Sequence, residues 1–315
     1  MKTASLAFGW MGALLLSAVT LDARDLGKEW EWEVKRVGET DYIPLGKFGE
    51  FYGFGGMERN GAEIRFEVER KIKVSFNVGS KECEFNKVKI ILNREIMEDG
   101  GEVFLSREDL SRLIDPILRP DQIGGPGVPR TVILDPTGGG DAALHAWEIA
   151  GKTKTKLEER GIKVIMTRGE EKAIAVEERV GAANEVQEPA VFVSITFLDE
   201  KDGPKGMRTS VLTPPAEEAA DGGGDNPRLG AALGISIHGI VLFNLRENTQ
   251  DNGLSSSRDS GLAGLRHPAI TLTAANLADE YEARLAANEK FQDAVATGIA
   301  TGIFKYQFGI SRKRE

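Results

Sequence analysis

Cysteine is almost missing from these 315 residues: Cys83 stands alone. That excludes an intrachain disulfide and any zinc site built from several thiolates, whatever the redox state of the compartment. Histidine is nearly as scarce, with only His145, His238 and His267, so a metal centre built on imidazoles has few ligands to draw on. No Lys/Arg block stands out apart from the closing "SRKRE", and the net charge is −9. A nucleic-acid binder presents a basic face to the phosphate backbone, so no nucleic acid is expected as a partner. Long apolar runs are also few: after the first 23 residues none reads as long enough to cross a bilayer. What is present is ordinary globular material, 41% hydrophobic and 28% charged, in a length that suits about two domains.

The opening "MKTASLAFGWMGALLLSAVTLDARD" has one lysine, an apolar run from Ala4 to Leu21, and small residues at Ala18 and Ala23 where a peptidase can cut. Residues 1–23 read as a secretory signal peptide, which predicts an exported protein of the periplasm or cell envelope. If the segment is retained, the same run makes the membrane a partner.

Residues 24–120 alternate short strand-like segments ("EIRFEVERKIKVSFNV", "KVKIILNREI") with "NG", "DGG" and "GFGG" turns, the pattern of β-hairpins with small helices. Two pieces look alike, "DYIPLGKFGEFYGF" from Asp41 and "EVFLSREDLSRLID" from Glu102; each reads as a strand followed by an amphipathic turn of helix. This part resembles the stalk-type domain named after copper amine oxidases, and it is expected to be a small α+β domain. The segment "RPDQIGGPGVPR" holds three prolines and three glycines in twelve residues, which marks residues 121–130 as a linker. From 131 to 306 apolar strands alternate with helical stretches, the pattern of a mixed, mostly parallel sheet with helices on both faces. Residues 307–315 read as a polar tail.

The stretch "TVILDPTGGGDAAL" runs from a buried strand through a glycine turn into a helix, a geometry able to hold an anion. The spacing Gly138-x-Gly140-x-x-Ala143 fits the dinucleotide fingerprint only formally, since "DPT" intervenes and no acidic residue ends the next strand. "GKT" at Gly151–Thr153 falls in mid-helix with alanine at position 146, so a phosphate cradle is missing as well. No nucleotide is expected.

Taken together, the segments resemble the zinc-dependent N-acetylmuramoyl-L-alanine amidases, which cut the lactyl-peptide amide of peptidoglycan. The resemblance runs over five stretches in order: "ILDPTGGGD", "LEERGIKVIMTR", "VEERVGAANEV", "VFVSITF" and "PAITLTAANLAD". It implies an amidase-type α/β fold from 131 to 306 and peptidoglycan or a cell-wall enzyme as partner. In that family two histidines and a glutamate hold one zinc ion, and a second glutamate takes a proton from the metal-bound water. The resemblance puts those four positions at Gly138, Ala142, Thr196 and Thr273. Glycine and alanine carry no donor, and threonine hydroxyls are poor zinc ligands that cannot act as a base near neutral pH. The expectation is therefore a divergent member with no zinc cofactor and no catalytic residue, its glycine turn shaped for a histidine that is not there.

Displaced ligands are the alternative: His145, one helical turn beyond Ala142, with Asp141 and Asp135. His238, in "ISIHGIV", falls where a surface helix is expected, and His267 leads into a strand ahead of Pro268. Asp199 and Glu200 read as a solvated loop. Three functions follow: a catalytically inactive amidase-like protein that binds peptidoglycan or regulates a wall enzyme, an active amidase with displaced ligands, or a structural envelope protein.

Overall fold

The computed structural model of the chain describes residues 34–68, 72–125, 127–169, 174–212, 226–257 and 261–311. The expected signal segment and most of the "PPAEEAADGGGDNP" loop lie outside the described residues. Two sheets organise the rest. The smaller holds four strands in the order β1 (Lys35–Val37), β2 (Thr40–Pro44), β9 (Glu102–Ser106) and β8 (Met97–Asp99). Strands β2 and β9, which pair antiparallel, lead into α1 (Leu45–Tyr52) and into the helical turns α2 (Arg107–Asp109) and α3 (Asp115–Leu118). These are the two pieces that look alike in sequence.

The larger sheet begins with the apolar strands of the second half. β10 (Thr131–Pro136) lies parallel to β11 (Lys163–Met166) on one side and to β12 (Ala190–Leu198) on the other, and β12 is parallel to β15 (Ala269–Asn276). β13 (Met207–Leu212) runs antiparallel to β15 and parallel to β14 (Asp251–Ser257). The sheet continues from there into the N-terminal part. β14 pairs with β7 (Val88–Ile91), followed by the meander β6 (Glu82–Phe85), β5 (Ile72–Asn77), β4 (Glu63–Val68) and β3 (Glu58–Asn60), eleven strands in all.

Side-chain alternation divides the two faces. Val132, Leu134, Val191 and Val193 point into a large core under α4 (Gly140–Glu158), α6 (Asn226–Leu245) and α8 (Glu289–Ser311). Ile133 and Phe192 point the other way, into a smaller cluster closed by Ala183 of α5 (Val176–Asn184). A short helix, α7 (Glu280–Ala286), starts at Asp279, whose carboxylate accepts the N–H groups of Tyr281 and Glu282; such a cap satisfies donors a helix start leaves open. The mixed α/β architecture with helices on both faces is the one the sequence pattern implies.

The boundary expected at 121–130 does not interrupt the packing. The large core runs through both halves, from the Phe48, Phe66 and Phe76 rings to Leu233 and Ile299. The buried carboxylate of Asp115 accepts from Tyr52, Arg119 and, across the halves, Arg228 of α6. Stacking of α6 on α8 depends on glycines: a Cβ at Gly302 would lie 2.5 Å from the Ile237 Cα, and one at Gly298 2.7 Å from the Val241 Cα. Two helices can approach this closely only where one lacks side chains.

Three readings need correction. The segment expected as a surface helix is α6, a core helix in which Leu233, Ile237, His238 and Val241 are fully buried. Asn226–Asn248 is also long and apolar enough to cross a membrane, contrary to the expectation that no second run is; its apolar faces are taken up by α8, β13 and β15. The expected polar tail from 307 is helical through Ser311, with Gln307 Nε2 donating to the Pro129 carbonyl at 2.6 Å.

Candidate functional site

The strands β10, β12 and β15 are parallel and end together, and open α/β sheets place their sites beyond such ends. Thr137, just past β10, donates its N–H to the Ile195 carbonyl at 2.8 Å, which brings the glycine turn alongside Thr196. Thr196 is the direct cross-strand partner of Thr273, and Thr273 is in turn the partner of Arg208 on β13. Directly opposed residues show their side chains on one face. Thr196, Thr273 and Arg208 therefore form a row across three strands, on the face that carries α5.

Arg208 is the residue that reading the sequence missed. It is half-buried, and its Nε donates to the Thr273 hydroxyl at 3.4 Å. Within "MRTSVLTP" it reads as one more outward position of an alternating strand; the signal is its register beside Thr273, which only the strand pairing reveals.

The glycine turn differs from expectation. Gly138 has φ +121°, a conformation that side-chain-bearing residues rarely adopt, and a Cβ there would lie 2.9 Å from the Ala142 Cβ. The turn is thus closed against the helix start in a conformation that favours glycine, and a histidine at this position would require the turn to shift. Ala142, buried beneath it, offers no donor. With threonines at 196 and 273, the side chains at the four positions do not fit a zinc ion.

The displaced-ligand candidates are occupied elsewhere or apart. Asp135, fully buried, forms an ion pair with Arg179 and accepts from the Thr167 hydroxyl at 2.7 Å. His145 lies edge-on to Phe197, with its Nδ1 3.1 Å from Glu148 Oε2. Asp141 is exposed in the first turn of α4. Among the described residues, no three His, Cys, Asp or Glu side chains gather as a metal cluster. Asp199 and Glu200 are exposed; their loop is fastened by Asn276, which accepts the Glu200 N–H and donates to the Glu200 and Gly203 carbonyls.

The two other histidines hold the frame. His238 bridges Thr209 Oγ1 and Asp251 Oδ1, each at 2.9 Å. Burial pushes the Asp251 carboxyl up, but hydrogen bonds from His238 and from the Lys89 and Gly253 N–H groups outweigh it and hold the group below the usual carboxylate range. His267 leads into β15 as expected, donating from Nε2 to the Ala183 carbonyl at 3.1 Å, and burial holds its pKa down. Asn184 completes the clasp on α5, donating to the Gly264 carbonyl and accepting the Arg266 N–H. A groove of about 530 Å³ lined by Trp147, Glu148, Lys152 and Gln292 lies by α4, on the opposite face from the threonine row.

A family model described as N-acetylmuramoyl-L-alanine amidase matches residues 141–305, just over half of the 315. The chain belongs to this amidase family. Three solved amidases are similar to it. One, an N-acetylmuramoyl-L-alanine amidase from Clostridium difficile 630, is 24% identical with a TM-score of 0.47, over 57% of this chain and 97% of that one. AmiC2 of Nostoc punctiforme is 21% identical with a TM-score of 0.48, over 58% and 98%. The CwlD amidase from Clostridioides difficile, solved in complex with the GerS lipoprotein, is 20% identical with a TM-score of 0.48, over 56% and 97%. No curated protein matches. Arg179, Asn184 and His267 lie within the amidase match, and their contacts with Asp135, Gly264, Arg266 and Ala183 anchor α5 to the sheet.

Proposed function

We propose that this amidase-family chain is an exported, catalytically inactive protein that binds peptidoglycan in the periplasm or cell envelope. The single observation that carries the reading is the chemistry of the site: glycine, alanine and two threonines stand at Gly138, Ala142, Thr196 and Thr273, and the glycine turn adopts a conformation that side-chain-bearing residues rarely take. Amide hydrolysis by this route needs a polarised water and a base together. Metal coordination takes the pKa of water from about 15.7 to about 7, and a positioned base contributes roughly 10²- to 10⁴-fold. With neither supplied, binding is what the fold has left to offer.

The test has two arms. Purified protein exposed to zinc is assayed for bound metal and for stem-peptide release from muramyl substrates; less than a tenth of an equivalent of zinc and no release are expected. Insoluble sacculi are then used in a pull-down, where retention is expected. Turnover that vanishes on His145→Ala would establish the displaced-ligand amidase instead. Failure to bind sacculi would leave a structural envelope protein or a wall-enzyme partner.

A further inference from the structure

We propose that Arg208, with the hydroxyls of Thr273 and Thr196, forms an anion-binding site that receives a carboxylate of a muramoyl peptide. The inference rests on the peptidoglycan-binding reading and adds the chemical group that is recognised.

The row Thr196–Thr273–Arg208 crosses three adjacent strands in direct register, so at ~4.8 Å per strand its two ends lie about 10 Å apart. That span suits a short acidic peptide segment, its carboxylate at the Arg208 fork and its chain running along the threonine hydroxyls. Arg208 is half-buried; among the described residues its polar contact is Nε to Thr273 Oγ1 at 3.4 Å, and no carboxylate pairs with it. A guanidinium has five N–H donors in a planar fork matched to a carboxylate, so the donors of both Nη atoms remain for a ligand. Thr273, only 5% exposed, holds the stem of the fork at the sheet surface, and Thr196, partly exposed, offers a second hydroxyl on the same face.

Glu177 and Glu178 at the start of α5 are exposed acids on this face, and neither pairs with Arg208. Asp135 and Arg179 neutralise each other, and Asp199 and Glu200 are exposed on the loop beyond β12. In a chain of net charge −9, a fixed cation on a half-buried wall with no carboxylate paired to it among the described residues favours an anion, and a guanidinium cannot be neutralised by losing a proton near neutral pH. Such a site keeps positive charge where substrate would lie yet supplies no activated water, which is what a binding protein needs.

The experiment titrates the full mature chain with a muramoyl tripeptide bearing free carboxylates and with the same fragment amidated, following heat and the Arg208 Nε–H resonance. The free-carboxylate fragment should bind, weaken with added salt, and shift that resonance. Amidation and Arg208→Ala should each weaken binding at least tenfold, and Arg208→Lys should recover part of the loss. Thr273→Val, which keeps the shape, should weaken binding severalfold and serves if Arg208→Ala fails to fold. Equal binding by Arg208→Ala, equal binding of the amidated fragment, or no binding of the free-carboxylate form at millimolar concentration would overturn the site. Sacculi held equally by wild type and Arg208→Ala would remove this inference and leave the binding reading standing. Fragment binding without sacculus binding would do the reverse.

Discussion

Arg179 of α5 closes an ion pair on Asp135, a carboxylate buried at the end of β10 with no exposed surface. The pair spans the thinner face of the sheet, where Ile133, Phe192 and Ala183 make only a small cluster. It fixes α5 at the edge where Thr196 and Thr273 come together, and so shapes the wall of the candidate site. Removing one partner of a buried pair leaves an uncompensated charge in a medium that solvates it poorly.

Arg179→Ala is therefore expected to lower unfolding stability by about 3–5 kcal/mol, read from the urea midpoint at constant slope. A loss below 1 kcal/mol, the range of exposed pairs, would show that water reaches Asp135 once the arginine is gone.

Much of this half of the fold is legible in the sequence because its strands are apolar and its helices long: β10, α4, β11, α5 and β12 fall within a few residues of where the pattern puts them. Two features are not legible for physical reasons. β14, "DNGLSSS", has little apolar character because its carbonyls and N–H groups, paired on both sides, do the work of joining the halves. The α6 helix mixes Gly230, Gly234, Ser236 and His238 with its aliphatic residues, since strands and α8 press against it closely, and that mixture reads as a surface. At the site, three successive glycines do not say which of them takes the φ that closes the turn, and Arg208 gains meaning only from its partner across the sheet.

Gly138 makes the second prediction. A side chain there meets both an unfavourable φ and the Ala142 Cβ, so Gly138→Ala should destabilise by about 1–3 kcal/mol. It follows that Gly138→His, Ala142→Glu, Thr196→His and Thr273→Glu made together should still bind zinc poorly, because the turn must be rebuilt before an imidazole can face the other ligands. Stoichiometric zinc in that fourfold variant, by metal analysis, would show the turn to be adaptable and revive the histidine-socket reading.

The α6–α8 contact makes the third. Gly302→Ala puts a methyl group 2.5 Å from the Ile237 Cα, and a helix backbone cannot yield locally as a flexible side chain does. Overpacking of this kind typically costs about 1–3 kcal/mol, and a drop in thermal midpoint without change in helix content is the expected signature. Gly151→Ala, where a Cβ meets nothing within 4 Å, is the control and should be neutral or slightly stabilising through the better helix propensity of alanine.

The pH dependence of stability follows from His267 and Asp251. Burial lowers the folded pKa of His267 below its ordinary 6.5, so between those two values the unfolded chain binds more protons than the folded one. Stability then rises with pH through that window: it is fully present above about pH 6.5 and is lost as the pH falls towards the folded pKa. Asp251, whose hydrogen bonds hold it below its ordinary 3.8, acts in the same direction at lower pH. Its contribution is present above about pH 4 and is lost as the carboxyl protonates. Acid should thus weaken the fold in two steps, the first at the clasp between His267 and the Ala183 carbonyl, the second where Asp251 ties β14 to His238 and to the Lys89 N–H. Urea midpoints between pH 3 and 8 should resolve the two steps, and His267→Gln, which keeps a donor but does not titrate, should flatten the upper one alone. An upper step that survives His267→Gln would assign it to another histidine and remove the clasp from the explanation.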